Sequence, residues 1–399
     1  MKQIVVLGAG FAGLIAAVGA ARKLAELRIA KSDVAVTVVN RDRWHSIRVR
    51  NYESELADTR VALDDVLGPI GVDLVVGEVT GLDPERRAVA LAGSAPLRYD
   101  RLVFALGSEL VRPAIPGLAA HGFDIDTYGA AERLGAHLRL LPTRPASPGR
   151  FTALVVGGGL TGVEMATELA PRLQEIAGGA PSRVILADRA PRIGSNMGDD
   201  ACAVIAEALR ALGVETRTGV TLAAIDRDGA RLSNGEDIAA ETVIWCAGMR
   251  AHPLVAALPG AHDRFGRVAV DRFLRVEGAS DIFAAGDAAA ALVDGEHASV
   301  MSCQHARPMG RVAGHNVASD LVGAPLIPLE IGYYVTCLDL GAWGAVYCQG
   351  WDRKVTATGA AAKETKQTIN RQRIYPPRSR DPDEILAAAA PVIQAPPRQ

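Results

Sequence analysis

The sequence predicts an α/β fold in which two similar units, each built on a parallel sheet, are followed by a smaller α+β region. Residues 5–16, VVLGAGFAGLIA, and residues 154–165, LVVGGGLTGVEM, repeat one pattern of apolar strand, glycine-rich turn and helix start. Further apolar strands also end at glycine, as parallel strands buried on both faces do. A proline-rich stretch at 142–149, PTRPASPG, is interpreted as a boundary between the two copies.

The first unit begins with the strand QIVVLGAG at residues 3–10, and helix-like sequence follows from Ala12 to about Ile29. A β-branched run, VAVTVVN, ends at Asn40, and a later apolar strand, RLVFALG, ends at Gly107. Strand, glycine turn, helix and strand in this order predict the first βαβ unit of a doubly wound sheet.

The second unit restarts the pattern with FTALVVGGG at residues 151–159 and a helix predicted from Leu160 to about Ala177. RVILADR is the next strand, and TVIWCAG, ending at Gly248, is the counterpart of RLVFALG. The sequence therefore predicts the same fold twice.

The last third of the chain predicts one more buried strand and a small separate region. The apolar run IFAAGD closes on Asp287. Two aromatic-rich stretches, IGYYVTCLDL at 331–340 and GAWGAVYCQGW at 341–351, predict paired strands. The tail after Tyr375 repeats proline and is predicted to be mobile.

Composition narrows the classes of function. The 399 residues predict two or three domains, and a formal net charge of −2 lacks the basic excess that nucleic-acid binding needs. Five scattered cysteines without CxxC spacing suit a reducing cytoplasm and predict neither a disulfide framework nor a metal site. The uncharged run from Ile4 to Ala21 is interpreted as buried strand and helix rather than as a signal peptide.

The glycine spacing GxGxxG predicts a dinucleotide site in each copy. The first glycine allows a sharp turn, the second lets a pyrophosphate approach the backbone, and the third lets helix and strand pack closely. N–H groups at the helix start then bind the anion. The predicted cofactor contacts are Gly8, Gly10, Phe11, Ala12 and Gly13 in the first copy, and Gly157, Gly159 and Gly162 in the second.

The strand after each helix should end in a group that binds the adenosine ribose. In the second copy this is Asp188, whose carboxylate would accept hydrogen bonds from both hydroxyls and repel a 2′-phosphate, so NADH is preferred. Arg189 and Arg192 leave NADPH open, since either could pair with such a phosphate. In the first copy Asn40 takes this place, followed by Arg41 as a further contact, and Asp42 could share the task.

The order of motifs carries a resemblance to a known family. GAGFAG, YDRLVFALGS, GGGLTGVEMATEL, VIWCAGMRA and DIFAAGDAA follow one another as in the two-dinucleotide-binding flavoproteins of the pyridine nucleotide-disulfide oxidoreductase superfamily. Within it the chain looks most like a type II NADH dehydrogenase, up to about Pro377. The resemblance implies an FAD-binding domain of residues 1–115 and 265–325, an inserted NAD(P)H-binding domain of residues 116–264, and a C-terminal region of residues 326–399.

The same resemblance implies roles for individual residues. Gly286 and Asp287 match a pair whose carboxylate bonds the ribityl chain of FAD, and a helix beginning near Ser302 would point its positive end at the flavin. Glu164 matches a glutamate beside the nicotinamide and the flavin. The strand-ending glycines Gly107 and Gly248 are further predicted cofactor contacts.

The electron acceptor is where the sequence departs from this family. Quinone-reducing relatives carry an AQxAxQ-like segment; here Gln304 matches, and is the second predicted catalytic residue with Glu164, but Pro308 replaces the second glutamine. Arg48 and Arg50 replace an apolar stretch and predict a cationic wall suited to a polar or anionic acceptor, with a solvated loop as the alternative.

The cysteines and the basic stretch KETKQTINRQR add little to the functional prediction. A disulfide reductase needs paired cysteines beside the flavin, and none follows the first fingerprint; a redox role for Cys303 stays open. The basic stretch predicts at most peripheral membrane contact because no strongly apolar amphipathic helix follows it.

Together these features predict a cytoplasmic or loosely membrane-associated FAD enzyme that takes hydride from NADH and passes electrons to a quinone or other small acceptor. The prediction includes no nucleic-acid partner and allows a homodimer. The alternatives are a tailoring flavoenzyme that acts on a specific small molecule, and a nucleotide-binding redox sensor.

Overall fold

Two five-stranded parallel sheets and one three-stranded antiparallel sheet organise the chain in the computed structural model, which describes residues 1–393 and 395–397. The strands of these sheets are, in chain order, β1 (Lys2–Leu7), β2 (Val34–Asn40), β3 (Asp73–Val76), β4 (Arg101–Phe104), β5 (Gly122–Phe123), β6 (Thr152–Val156), β7 (Arg183–Asp188), β8 (Glu215–Thr218), β9 (Thr242–Trp245), β10 (Ile282–Ala284), β11 (Val335–Asp339), β12 (Ala345–Gln349) and β13 (Lys354–Thr358).

Helices connect and cover these sheets. They are α1 (Phe11–Glu26), α2 (Leu63–Leu67), α3 (Leu118–His121), α4 (Tyr128–Leu140), α5 (Leu160–Ala177), α6 (Asp199–Ala211), α7 (Cys303–Val322), α8 (Gly359–Thr368) and α9 (Pro382–Ala388). A π-helical turn, Ile369–Arg373, continues α8. Short strands form small additional ladders at Trp44–Ser46 with Arg60–Ala62, Val79–Asp83 with Ala88–Leu91 and Ser94–Arg98, Ser108–Leu110 with Met249–Ala251, Leu222–Ile225 with Gly229–Leu232 and Asp237–Ala239, and Val268–Ala269 with Ala289–Ala290.

The two parallel sheets repeat one topology. The first has the order β10-β4-β1-β2-β3, and the second has the order β5-β9-β6-β7-β8, so the strand before each glycine turn is central in both. All neighbours in both sheets are parallel. Both central strands lie in the core, where Ile4 to Leu7 and Ala153 to Val155 have no exposed surface. Such complete burial explains why these strands are uniformly apolar.

The chain leaves the first sheet after β4, builds the whole second sheet, and returns to the first as β10. The proline-rich stretch 142–149 was interpreted as the boundary between the copies, but it lies inside the second unit. It joins α4 to β6, and β5, which precedes it, already pairs with β9 of the second sheet. The prolines end a helix and make a turn here without separating two folding units.

The C-terminal region contains the predicted paired strands, because β11 and β12 are antiparallel from Val335↔Gln349 to Asp339↔Ala345. A third strand, β13, extends this sheet. The tail after Tyr375 is predicted to be mobile, yet α9 lies within it and Ile385 is fully buried there. Asp381 caps this helix by accepting from the N–H groups of Asp383 and Glu384, a local signal that the repeated prolines obscured. Gln394, Arg398 and Gln399 of the predicted tail lie outside the described residues.

Helices α1 and α7 pack with their backbones in direct contact. A Cβ atom on Gly310 would overlap the carbonyl oxygen of Ala12, and one on Gly314 would overlap that of Ala16. Two glycines four residues apart on α7 therefore allow the helices to approach more closely than any side chain would permit. This contact sets the N-terminal ends of both helices beside each other.

We expect Gly314→Ala to lower the free energy of unfolding by about 2 kcal/mol or more, because an added methyl group must push two helix backbones apart. Thermal unfolding followed by circular dichroism measures the change. Gly129→Ala in α4 is the matched control: nothing lies within 4 Å of the added methyl group, so it should leave stability unchanged or raise it. Equal losses in the two variants would contradict the role given to the α1–α7 contact.

Candidate active site

The first glycine turn can be built only with glycine at two of its positions. Gly8 has a φ of +90°, and a Cβ there would lie 2.6 Å from the carbonyl oxygen of Ala105. A Cβ on Gly13 would overlap the carbonyl oxygen of Gly8, so the start of α1 rests directly on the turn. Close contacts therefore exclude a side chain at both the first and the third glycine, as the glycine spacing predicts.

The second turn has the same construction. Gly157 has a φ of +117°, and a Cβ there would lie 2.9 Å from the backbone nitrogen of Ala247. A Cβ on Gly162 would overlap the carbonyl oxygen of Gly157. The repeat seen in the sequence is thus a repeat of packing contacts.

The middle glycines face open space instead. Nothing lies within 4 Å of a Cβ built on Gly10 or on Gly159. Each is the N-cap of the following helix, with no side-chain hydrogen bond to the helix N–H groups, and neither helix has an acidic residue in its first turn. Unpartnered N–H groups at a helix start attract an anion. Both turns therefore fit a dinucleotide diphosphate: each leaves room beside the second glycine and offers free donors there.

Side chains from the end of the second strand hold both turns in place. Asn40 Oδ1 accepts from the Ala9 N–H at 3.0 Å, and Asp188 Oδ2 accepts from the Gly158 N–H at 2.5 Å. The other oxygen of Asp188 accepts from the N–H of Ala190 at 2.6 Å. These two residues, predicted to bind ribose, are also structural supports of the turns. Arg41 lies exposed just beyond Asn40.

His45 is a support that the sequence analysis missed. Its ring lies 2.8 Å from the carbonyl oxygen of Ala9 through Nδ1 and packs edge-on against Phe11. Burial lowers the pKa of His45 to about 4, so the ring is neutral and Nδ1 donates its hydrogen. Together with Asn40 it satisfies both backbone groups of Ala9. A lone histidine after a strand carries no sequence signal for this role.

The Gly-Asp pair lies between the starts of α1 and α7. A Cβ on Gly286 would lie 2.8 Å from that of Ala12 and 3.5 Å from that of Ala306, which leaves no space for a side chain. Asp287 accepts a hydrogen bond from Ser108 Oγ at 2.6 Å, and burial raises its pKa. The predicted motif therefore stands beside the first glycine turn, where its carboxylate can face a bound dinucleotide.

The strand-ending glycines meet each other. Gly107 and Gly248 lead into the short strands Ser108–Leu110 and Met249–Ala251, which pair antiparallel. The N–H of His252 donates to the Gly107 oxygen at 2.9 Å, and that of Val111 donates to the Gly248 oxygen at 3.1 Å. This ladder is where the chain crosses between its two units.

The predicted cationic wall at Arg48 and Arg50 is wrong, because carboxylates neutralise both residues. Arg48 pairs with Asp126 and also donates to Ser108. Arg50 pairs with Glu53 at 2.6 Å and is buried. Sequence spacing could not show the first of these partners, since 78 positions separate Arg48 from Asp126.

Glu164 is buried and ion-paired. Its carboxylate lies 2.7 Å from Lys366 Nζ, which comes from α8, and also accepts from the N–H of Asp339 at 3.2 Å. Burial raises the pKa of Glu164, and Lys366 opposes this effect. Burial disfavours the ammonium of Lys366, but the attraction of Glu164 prevails and its pKa rises.

A second ion pair extends this cluster. Lys363 Nζ lies 2.5 Å from Asp339 Oδ1, and the hydroxyl of Tyr52 donates to Asp339 Oδ2 at 3.2 Å. The side-chain amide of Asn370 donates to that hydroxyl at 3.3 Å. The basic stretch weighed as a membrane signal thus supplies two interior ion pairs, through Lys363 and Lys366. Among residues 1–393 and 395–397, no helix is long and apolar enough to cross a bilayer.

Gln304 positions a neighbouring segment. Its side-chain amide donates to the carbonyl oxygen of Tyr333 at 3.2 Å and accepts from the N–H of Val335 at 3.4 Å. It lies in the first turn of α7, which begins at Cys303, next to the predicted start near Ser302; the Ser302 side chain caps this helix. Gln304 therefore holds the start of β11 against the N-terminal end of α7, which lies beside the Gly-Asp pair.

The cysteines are held as thiols. All five are free, and burial is the main influence that raises the pKa of each, among them Cys303 beside Gln304 and Cys337, whose pKa rises to about 12. A high pKa leaves little thiolate, the form that attacks or is oxidised. This argues against the redox role considered for Cys303.

Replacing Lys366 by Met should leave the Glu164 carboxylate buried and unpaired, at a cost of about 3–5 kcal/mol at neutral pH. The folded variant would hold the Glu164 proton more tightly than the unfolded chain does. Its stability therefore falls as pH rises above the ordinary value of 4.5, and the deficit should be larger at about pH 8 than at about pH 5.5. Thermal unfolding at both pH values measures this.

The double variant Lys366→Met with Glu164→Gln should recover most of the loss, because no unpaired charge remains. Lys354→Met, at an exposed position on β13, is the control for removing a lysine. A deficit independent of pH, or no recovery in the double variant, would show that the ion pair does not determine the stability of this cluster.

Known proteins share this fold. The chain is similar to NDH2 from Plasmodium falciparum, solved in complex with NADH, with a TM-score of 0.76 and 13% identity over 96% of this chain and 97% of that one. It is also similar to the sulfide:quinone oxidoreductase from Aquifex aeolicus, with a TM-score of 0.74 and 18% identity over 93% and 90% of the two chains. At these identities the likeness concerns the fold, and it confirms the predicted α/β class.

Sequence relatives extend the comparison. An NADH dehydrogenase-like protein of Mycobacterium tuberculosis is 54% identical over 397 residues, 99% of both chains. A type II NADH:quinone oxidoreductase of Staphylococcus saprophyticus is 29% identical, over 86% of this chain and 89% of the relative. The model of the pyridine nucleotide-disulphide oxidoreductase family matches residues 2–310. These matches confirm the predicted enzyme class and its cofactors, FAD and NADH. The chain belongs to the pyridine nucleotide-disulphide oxidoreductase family.

Proposed function

We propose that this protein takes hydride from NADH through bound FAD and passes the electrons to a quinone or another small acceptor. The observation that carries the proposal is the pair of glycine turns, since both leave open space beside the second glycine and present free helix N–H groups. Two such pockets in one chain are what a reaction between two dinucleotide cofactors requires. FAD supplies the chemistry of accepting a hydride and releasing electrons.

We assign the first turn to FAD and the second to NADH. The Gly-Asp pair supports this assignment, because Asp287 stands beside the first turn and has no counterpart among the predicted contacts of the second. The domain ranges follow as proposed: 1–115 and 265–325 for FAD, 116–264 for NADH, and 326–399 for the C-terminal region. The strand ladder at Gly107 and Gly248 joins the two domains.

The protein's own residues bind and orient in this mechanism. Asn40 and His45 fix the first turn, Asp188 fixes the second, and the starts of α1 and α7 present positive ends beside the Gly-Asp pair. Glu164 lies one turn into α5, the helix that follows the second glycine turn. Its ion pair with Lys366 links α5 to β11, because Lys366 Nζ also donates to the carbonyl oxygen of Cys337. Burial of this cluster excludes water from that side of the site.

Asp188 supports NADH over NADPH. It is half-buried beside the open glycine, and a negative carboxylate there disfavours a 2′-phosphate. Arg192 is paired with Asp199 at 2.6 Å, which reduces its capacity to bind such a phosphate.

A quinone is the acceptor named for several sequence relatives, and we propose it or a similar small molecule here. Two lysines of the basic stretch KETKQTINRQR form ion pairs within the protein, Lys363 with Asp339 and Lys366 with Glu164, so they do not add to a membrane-binding surface. We therefore propose at most loose, peripheral contact with a membrane, in the cytoplasm.

Mixing the purified, FAD-loaded protein with NADH in the absence of oxygen should bleach the yellow absorbance of the flavin, because hydride transfer reduces its ring. Subsequent addition of a soluble quinone should restore the yellow colour at a rate consistent with turnover. Flavin that NADH does not reduce would rule the function out. Reduction without reoxidation by any quinone would favour the redox sensor instead.

Gly10→Val and Gly159→Val should separate the two pockets. No protein atom lies within 4 Å of a Cβ atom built at either position, and both positions have ordinary negative φ values, so the fold should tolerate either change. The first variant should lose bound flavin, measured by absorbance after gel filtration. The second should keep flavin but resist reduction by NADH, with at least a tenfold loss of rate, on the order of one displaced diphosphate contact. If both variants lost flavin equally, the assignment of pockets would be incorrect.

A further inference from the structure

Arg48 contacts both units at the place where they meet. Its Nη1 donates to the backbone oxygen of Ser108 at 3.1 Å and to Ser108 Oγ at 2.9 Å. Its Nη2 pairs with Asp126 and lies 3.9 Å from Met249 Sδ. Ser108 and Met249 begin the two strands of the crossing ladder, and Asp126 lies between β5 and α4 of the second unit. One side chain therefore links the two units at their junction.

These contacts hold the guanidinium in one orientation. Nη1 has two acceptors on Ser108 and Nη2 has the carboxylate of Asp126, so the planar group is held at two of its nitrogens. Asp126 is held in turn, because its Oδ2 accepts from the N–H of Leu110 at 3.1 Å. The exposed fractions of the Arg48 and Asp126 side chains are 30% and 10%, so the pair is largely withdrawn from water.

The chemistry of the groups sets the direction of the next hydrogen bond. A guanidinium donates and never accepts, so Ser108 Oγ accepts from Arg48. The single hydroxyl hydrogen of Ser108 is then donated to Asp287 Oδ2, at an oxygen–oxygen distance of 2.6 Å. While Asp287 is ionised, the hydrogen bonds from Arg48 through Ser108 to Asp287 can run in no other direction.

This chain of hydrogen bonds leaves one oxygen of Asp287 for a ligand. Within residues 1–393 and 395–397, the hydrogen bond from Ser108 is the only one to the Asp287 side chain, which is half-buried. Oδ1 therefore remains available to a molecule bound at the first glycine turn, to which Gly286 is joined by its contact with Ala12. Because the two oxygens of a carboxylate move together, the bond that fixes Oδ2 also orients Oδ1.

We propose that Arg48 is a positioning residue for FAD: it fixes the Ser108 hydroxyl as a donor to Asp287 and thereby orients the free oxygen of that carboxylate toward the cofactor. The inference rests on the proposed function, since it takes the first turn as the FAD site. Asp126 anchors Arg48 from the second unit, so the orientation of an FAD-binding carboxylate depends on the NADH-binding domain. Arg48 thus has a role inside the site in place of the predicted cationic wall.

The charges around Asp287 act together with this geometry. Burial raises the pKa of Asp287, whereas the Ser108 hydrogen bond and the charges of Arg48 and Arg267 oppose the rise, and Asp126 adds to it. Loss of Arg48 should therefore raise the pKa of Asp287 further. A protonated carboxyl group accepts a hydrogen bond from a cofactor hydroxyl less well than a carboxylate does, so FAD binding should weaken as pH falls through this pKa.

The test measures FAD affinity in the FAD-loaded protein, without turnover. Diluting this protein releases FAD, and the rise in flavin fluorescence gives the Kd at each pH. Arg48→Met should raise the Kd about tenfold at neutral pH, as expected when a charge-assisted hydrogen bond is lost. It should also move the pH below which FAD binding weakens to a higher value. Arg48→Lys keeps the charge without the planar fork, so it should restore the pH dependence more fully than the Kd.

Ser108→Ala should raise the Kd by a similar factor, because it interrupts the same chain of hydrogen bonds. The double variant with Arg48→Met should bind FAD nearly as well as the weaker single variant. A Kd raised about a hundredfold in the double variant, the product of two independent effects, would overturn the proposal. Arg48→Lys and Ser108→Ala keep the proposal testable if Arg48→Met fails to fold, since an unchanged Kd in both would also overturn it.

Arg250→Met is the matched control. Arg250 also pairs with a carboxylate on the crossing ladder, that of Glu109 at 2.6 Å, but in the described part of the chain no hydrogen bond joins this exposed pair to Ser108 or Asp287. The control should leave the Kd and its pH dependence unchanged. An effect equal to that of Arg48→Met would show that stability of the ladder, and not the orientation of Asp287, governs FAD binding.

Reduction of the unmodified, FAD-loaded protein by NADH judges the proposed function separately. A protein that binds FAD but is not reduced by NADH would contradict that function, and the Kd values of the variants would still decide the role of Arg48. An unmodified protein that retains no FAD would refute both.

Discussion

Direct contact between the start of a helix and the turn that precedes it organises both units of this protein. In both copies a Cβ on the third glycine would overlap the carbonyl oxygen of the first, so helix and turn form one rigid piece. Asn40, His45 and Asp188 then fix the turns from the side. The backbone N–H groups at the start of each helix have no side-chain partner. A rigid turn with free donors and empty space is a preformed site for a diphosphate.

A few specific contacts join the two units to each other and to the C-terminal region. The ladder after Gly107 and Gly248 carries the chain across, and the Glu164–Lys366 pair ties α5 to α8 of the C-terminal region. Charges elsewhere in the interior are also compensated, as at Arg48 and Asp126.

The C-terminal region contacts two of the predicted catalytic residues, Gln304 and Glu164. Its strand β11 is held by Gln304, and its helix α8 supplies Lys366. The match to the family model ends at residue 310, before β11 and α8 begin.

The two units, the strands and helices around each turn, and the roles of the glycines can be predicted from the sequence, because they follow from local steric limits and from the uniformly apolar composition of buried parallel strands. The predicted boundary at 142–149 was wrong, because prolines mark turns without revealing which sheet receives the next strand. The repeated prolines also led to the prediction of a mobile tail where α9 forms. The partners of the charged residues are apparent only in the folded chain. Lys366 lies 202 positions from Glu164, and Asp126 lies 78 from Arg48, so no local pattern records that these charges meet. Ionic compensation depends on distance in space, and folding alone establishes that distance.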